Sequence, residues 1–209
     1  MTTYPRIVPA GDAALTVEFG DTIAPRINDR VLAFARRVER ARLRGLVEVV
    51  PAYASATVYI DPLRGNWARL ITRLAALARR PTPNARHAGK LVTIPVAYGE
   101  EFGPDLPALA KQAGLSQQAV IRLHSSKVYR VYMLGFSPGF PYLGTVPKQI
   151  ARPRLAEPRK SVPAGSVGIA GSQTGIYPQA SPGGWLLIGR TPVRLYAPHA
   201  SSPFALAPG

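Results

Sequence analysis

Two kinds of hydrophobic pattern alternate over the first eighty residues. Residues 14–19 (ALTVEF) place apolar and polar side chains in turn, as a strand with one covered face does. Pro25 then opens a helix in which Ile27, Val31, Ala35, Val38 and Ala41 recur at helical spacing, with Gly45 as its stop. Two further strands are predicted over 47–53 and 56–60, the second with Ala56, Val58 and Ile60 facing one way and Thr57, Tyr59 and Asp61 the other. Asn66 is placed to cap a second helix carrying Trp67, Leu70, Ile71, Leu74 and Leu77; Arg79 and Arg80 suit its C-terminal dipole and Pro81 ends it. Two helices on one face of a small antiparallel sheet imply an α+β, ferredoxin-like N-terminal domain.

The segment 81–90 (PTPNARHAGK) is polar, Pro-bearing and without periodicity, so the pattern predicts domains at 1–86 and 90–209. In the second domain 91–96 is expected to be a strand. Asp105 is expected to cap a helix ending at Gly114, and Ser116 one over 117–125. Everything after that reads as strand and turn, which suggests a mainly-β, closed or nearly closed small barrel.

Composition narrows the function classes. The 209 residues contain no cysteine, which excludes disulfides, thiolate metal sites and a cysteine nucleophile. No apolar run approaches the roughly 20 residues of a membrane span, and the first residues lack a signal-peptide core, so a cytoplasmic protein without a membrane partner is expected. The net charge is +15. After Asp105 the one acidic residue is Glu157, set against Arg122, Lys127, Arg130, Lys148, Arg152, Arg154, Arg159, Lys160, Arg190 and Arg194 among others. Such a half favours an anionic substrate, a phosphate or an acidic partner. The usual nucleic-acid motifs are missing, so no nucleic-acid partner is expected. No acidic pair or histidine cluster predicts a metal site.

Between Tyr129 and Gly189 the chain is dense in Gly and Pro yet too aromatic for a linker. The loop GFSPGFPYLG (135–144) offers Phe136, Phe140 and Tyr142 either as plugs of a barrel end or as walls of a small-molecule pocket. His124 closes the preceding helix, where it serves as a cap against the helix dipole or as a proton-handling group. PAGSVGIAGSQTG (163–175) lacks the lysine and the following helix of a phosphate loop; what remains is a turn-rich edge with free N–H groups, carrying Ser166, Thr174 and Gln173. Gln173 could match both the donor and the acceptor of an amide, or could only brace a turn. Arg159 and Arg190 sit where an arginine can fork to a carboxylate, or where it simply rims a barrel.

Four long phrases carry a resemblance: IPVAYGEEFGPDL (94–106), LHSSKVYRVYMLGFSPGFPYLG (123–144), VPAGSVGIAGSQTGIYP (162–178) and SPGGWLLIGRTP (181–192). The chain resembles the family of 5-oxoprolinase B subunits (PxpB or KipI, formerly allophanate hydrolase subunit 1). The resemblance implies an α/β N-terminal domain, a cyclophilin-like β-barrel and an ATP-dependent hydrolase subunit that is inactive alone. It also implies work with a PxpC (KipA-like) subunit and a PxpA-like subunit to convert 5-oxoproline to glutamate, with ATP as co-substrate held with or by the partner. In that setting Arg190 and Arg159 would hold a carboxylate or phosphate, Gln173 and Ser166 would meet the lactam amide beside Thr174, and His124 would move a proton. Phe136, Phe140 and Tyr142 would wall the pocket. Two other roles follow from the same family: a histidine-kinase inhibitor, and a carboxyltransferase-type subunit of a urea amidolyase system. Family members usually continue past ALAPG with a final strand, so an open sheet edge is expected here.

Overall fold

The computed structural model describes residues 3–82 and 89–209. The linker assigned to 81–90 falls largely on 83–88, outside the described residues. Two compact units emerge, 1–89 with Gly209, and 90–208.

In the first unit, strands β1 (Arg6–Pro9), β2 (Ala14–Glu18), β3 (Leu46–Pro51) and β4 (Ser55–Ile60) form an antiparallel sheet in the order β1-β2-β4-β3. Helix α1 (Pro25–Arg40) packs on β3, β4 and helix α2 (Trp67–Arg79). The predicted faces are the ones that close the core: Leu15 and Val17 from β2, Ala56, Val58 and Ile60 from β4, and Leu70, Leu74 and Leu77 from α2. Asn66 caps α2 as expected, its Oδ1 accepting from the Arg69 N–H at 3.0 Å. Strand β1 is not foreseen by the pattern; four residues ending in Pro9 are too short to show a period. Asn28 is also unforeseen. It is fully buried on the core side of α1, where its Nδ2 donates to the carbonyls of Ala52 and Tyr53 at 3.2 and 3.3 Å. A buried amide must find such partners, and here they fasten the β3–β4 turn to the helix.

In the second unit, residues 91–96 make no ladder. The strand there is β5 (Ala97–Tyr98), although the strand-like alternation starts earlier, with Ile94, Val96 and Tyr98 all packing on the core. Helices α3 (Leu106–Ala113) and α4 (Gln117–Ser125) follow at the predicted places, α3 ending on Gly114 at φ 66° and α4 capped by Ser116, whose Oγ accepts from the Ala119 N–H. The remaining strands of the unit are β6 (Arg130–Leu134), β7 (Pro141–Gly144), β8 (Arg159–Val162), β9 (Ser166–Ala170), β10 (Gln173–Ile176), β11 (Ser181–Gly183) and β12 (Leu186–Arg190). One short 3-10 turn, Lys148–Ile150, interrupts the run of strands and turns. Six strands pair antiparallel in the order β5-β12-β9-β10-β7-β6, while β8 and β11 pair separately. Among the described residues no ladder joins the edges β5 and β6.

Candidate functional site

At the β5 end of this sheet a cleft of about 480 Å³ opens between Ala97, Phe102, Ala164, Gly165, Pro178 and the run 190–194. Its walls are set by backbone contacts that only glycine permits. Gly165, at φ 82°, has no room for a Cβ against the Thr191 carbonyl. A Cβ on Gly189 would lie 2.6 Å from the Ala97 carbonyl oxygen. Two cations reach the cleft, Arg190 and Arg194, both exposed. Arg190 Nε donates to the Ala164 carbonyl at 2.8 Å, which steadies the plane of the guanidinium and leaves both Nη groups available. Among the described residues neither arginine has a carboxylate partner. Paired donors against an apolar wall suit a small anion with a compact apolar body.

Arg159 is placed differently. Its Nη2 meets Asp105 Oδ1 at 2.7 Å, while Asp105 Oδ2 accepts from the Leu187 N–H at 2.6 Å. Asp105 thus occupies the N-cap position of α3 without its side chain capping the helix, and Arg159 forms an ion pair with it. Arg194, which the sequence placed only among the surplus cations, takes the position beside Arg190. The signal available in the sequence was RTPVR: a proline-bent segment that returns a second arginine to the same face.

His124 is buried in the last turn of α4. Its Nδ1 lies 2.8 Å from the Tyr98 hydroxyl and its Nε2 lies 2.9 Å from Thr174 Oγ1. Thr174 donates its proton to the Gly168 carbonyl at 2.9 Å, so it can only accept from the imidazole. Nε2 therefore carries the proton, and Nδ1 accepts from Tyr98. Burial lowers the His124 pKa to about 4 and pushes that of Tyr98 up to about 12. Both groups are neutral at pH 7, and the imidazole is held as a brace with both nitrogens engaged.

The other expected residues are scattered around these two centres. Ser166 is buried opposite Arg190 in the β9–β12 register, next to the cleft residue Gly165. Gln173 pairs with Ala170, four residues further along β9, or about 13 Å away. The structure therefore does not bring Gln173 and Arg190 into one site. The N–H groups expected to be free along 163–175 are largely bonded: Gly165 to the Tyr177 carbonyl, Ser166 to that of Pro163 and Gly171 to that of Arg152. Pairing across to Tyr177, a local turn at Pro163 and a bridge to Arg152 thus use groups a nest would need.

Phe140 sits fully buried at the centre of an aromatic cluster, edge-on to Tyr142, Tyr177 and Trp185 at 4.9, 5.2 and 5.4 Å between centroids. Gly175 is required beneath it, since a Cβ there would come within 2.8 Å of the Phe140 ring. Phe136 is 62% exposed and has a positive φ of 65°. Phe140 is thus a plug; Tyr142 is half-buried, and Phe136 alone of the three presents most of its ring to solvent.

The family model for the carboxyltransferase domain, subdomain C and D, matches residues 5–206. The chain belongs to that family. It is 44% identical to the 5-oxoprolinase B subunit of Bacillus subtilis (strain 168), over all of this chain and 91% of that one. The solved structure of TTHA0988 superposes on 94% of this carboxyltransferase-domain chain with TM-score 0.84 and 43% identity; the chain spans 38% of that longer protein. The urea amidolyase of K. lactis superposes on 97% of it with TM-score 0.75 at 20% identity, with 14% of that chain covered, which shows the shared fold.

Proposed function

We propose that the chain is the PxpB-type component of an ATP-dependent 5-oxoprolinase, acting with PxpC-like (KipA-like) and PxpA-like subunits to open 5-oxoproline to glutamate. The observation that carries this reading is the 44% identity, along the whole chain, to a protein named as the B subunit of 5-oxoprolinase. The cleft supports it. 5-Oxoproline is a small ring with one carboxylate; Arg190 and Arg194 supply donors for the carboxylate, and Phe102, Pro178, Pro192 and Val193 supply apolar surface for the ring.

A lactam carbonyl is a poor electrophile because the nitrogen lone pair is delocalised into it. Transfer of the ATP γ-phosphoryl group to the amide oxygen weakens that delocalisation. Water then adds at the carbon and the ring C–N bond breaks, its electron pair staying on a nitrogen that takes up a proton, to leave a γ-glutamyl phosphate. A second water hydrolyses this acyl phosphate to glutamate and phosphate. ATP is held with or by the partner, and the part of this chain is to bind and orient the lactam, so the isolated chain is inactive. On the same reading the first unit is a ferredoxin-like variant in which β1 fills the fourth sheet position, and the second is a cyclophilin-like barrel. The boundary lies between 86 and 90, and the protein works in the cytoplasm.

The test is reconstitution with the two partner subunits and measurement of ATP- and 5-oxoproline-dependent glutamate. Arg190→Ala is expected to raise KM for 5-oxoproline about 10- to 100-fold, the worth of one charge-assisted hydrogen bond. Absence of turnover in an assembled complex overturns the function, and an unchanged KM in the Arg190→Ala, Arg194→Ala double variant overturns the site.

A further inference from the structure

Strand β5 forms one wall of the cleft, and its own ladder does little to hold it there. It has two residues and a single neighbour, with Tyr98 opposite Gly189 and Ala97 opposite Arg190 in β12. So short a ladder cannot fix its own position. Ala97 faces the cleft, whereas the next side chain, Tyr98, turns inward and ends on His124. His124 is itself anchored at two points. Its backbone carbonyl, in the last turn of α4, accepts from the Tyr129 hydroxyl at 2.9 Å. Its Nε2–H is committed to Thr174 in β10, and Thr174 to Gly168 in β9. Nδ1 is left as the acceptor that receives Tyr98. The proton order Tyr98 → His124 → Thr174 → Gly168 thus runs from the edge strand to the middle of the sheet, without involving the arginines.

We propose that His124 is a positioning residue for the Arg190 cleft: by accepting from Tyr98 and donating to Thr174, it ties edge strand β5 to the sheet interior and sets the wall that faces Arg190. This rests on the reading of the cleft as the 5-oxoproline site. It also gives this histidine a different task from proton transfer, since neither ring nitrogen is available to a ligand.

Tyr98→Phe is the discriminating substitution, because it removes one hydroxyl and keeps the ring. In the assembled enzyme it is expected to raise KM for 5-oxoproline about five- to tenfold, the equivalent of one lost hydrogen bond, with kcat unchanged. Hydrogen exchange should quicken at the Gly99 amide, which donates to the Ile188 carbonyl at the end of the same ladder. Nitrogen NMR of the unsubstituted chain should show His124 protonated at Nε2 and bare at Nδ1. His124→Gln, which retains one donor and one acceptor, should recover part of the KM lost in His124→Ala. A Tyr98→Phe protein that melts earlier but keeps its KM and its exchange at Gly99 would reduce the network to plain stabilisation and overturn the proposal. A fall in kcat at constant KM would overturn it in favour of a catalytic role. The exchange measurement needs no turnover. Faster exchange in a complex that never consumes 5-oxoproline would therefore keep the tether and reject the substrate, whereas unchanged exchange in an active complex would reject the tether alone.

Discussion

An imidazole is cheap to bury while neutral and costly once charged, and His124 carries that asymmetry into the pH dependence of the whole protein. Its pKa falls from 6.5 to about 4 on folding, because burial disfavours the imidazolium. Between those values the unfolded chain binds more protons than the native state, so stability rises with pH across the window. The contribution is complete above the unfolded value of 6.5, shrinks as pH drops, and is fully lost below about 4. Its size is about 3 kcal/mol. Urea unfolding between pH 7 and pH 4 should show this loss, and His124→Gln should flatten that part of the profile. The sequence marked His124 as one of two things, a helix cap or a proton carrier. It could not show that Tyr98 and Thr174 claim both nitrogens, since those partners come from strands 26 and 50 residues away. Asn28 escaped notice for a related reason: a polar residue on an apolar helix face gives no sign of the carbonyls that will satisfy it.

Among the elements, those with local signals were legible. Pro25, Asn66, Gly114 and Ser116 mark helix ends through backbone chemistry that acts within one turn, and they lie at or within a residue of the boundaries found. Asp105 shows where such reasoning stops. It stands at the first residue before α3, but the carboxylate turns to β12 and to Arg159 instead of to its own helix. Those two contacts join α3, β8 and β12. Asp105→Ala should therefore cost about 2 kcal/mol in unfolding free energy, a hydrogen bond to a charged group discounted for the partial exposure of Arg159. Asp105→Asn, which keeps an acceptor for the Leu187 N–H, should cost less. Equal losses for both variants would mean that the ion pair, not the backbone anchor, dominates. Strands β1 and β5 were missed or misplaced because ladders of four and two residues are stabilised by their neighbours rather than by their own pattern.

Over the whole molecule the surplus of positive charge is a property of composition, and its consequence is kinetic as much as structural. A net charge of +15 draws small anions toward the surface, and a cleft with two arginines lacking acidic partners among the described residues concentrates that field. Screening lengths fall from about 30 Å at 0.01 M salt to about 8 Å near 0.15 M. KM for 5-oxoproline should accordingly rise severalfold over that range at constant kcat, and the Arg190→Ala, Arg194→Ala double variant should show a flatter response. A salt-independent KM would mean that the cleft does not use the field.

By itself the sequence determined the α+β character of the first part, the helix limits other than the C-terminus of α1, which lies at Arg40 and not at the expected Gly45, the strand-and-turn character of the chain beyond α4 and the excess of cations. All of these follow from side-chain period, capping and composition, which act locally or simply add. Only the tertiary structure decided which cations remain free. Arg159 and Arg190 look alike along the chain, each beside Gly- and Pro-rich turns. Strand order brings Asp105, 54 residues distant in sequence, against Arg159, and among the described residues it brings no carboxylate to Arg190. Pairing through space depends on which strands are neighbours, and hydrophobic periodicity carries no record of that.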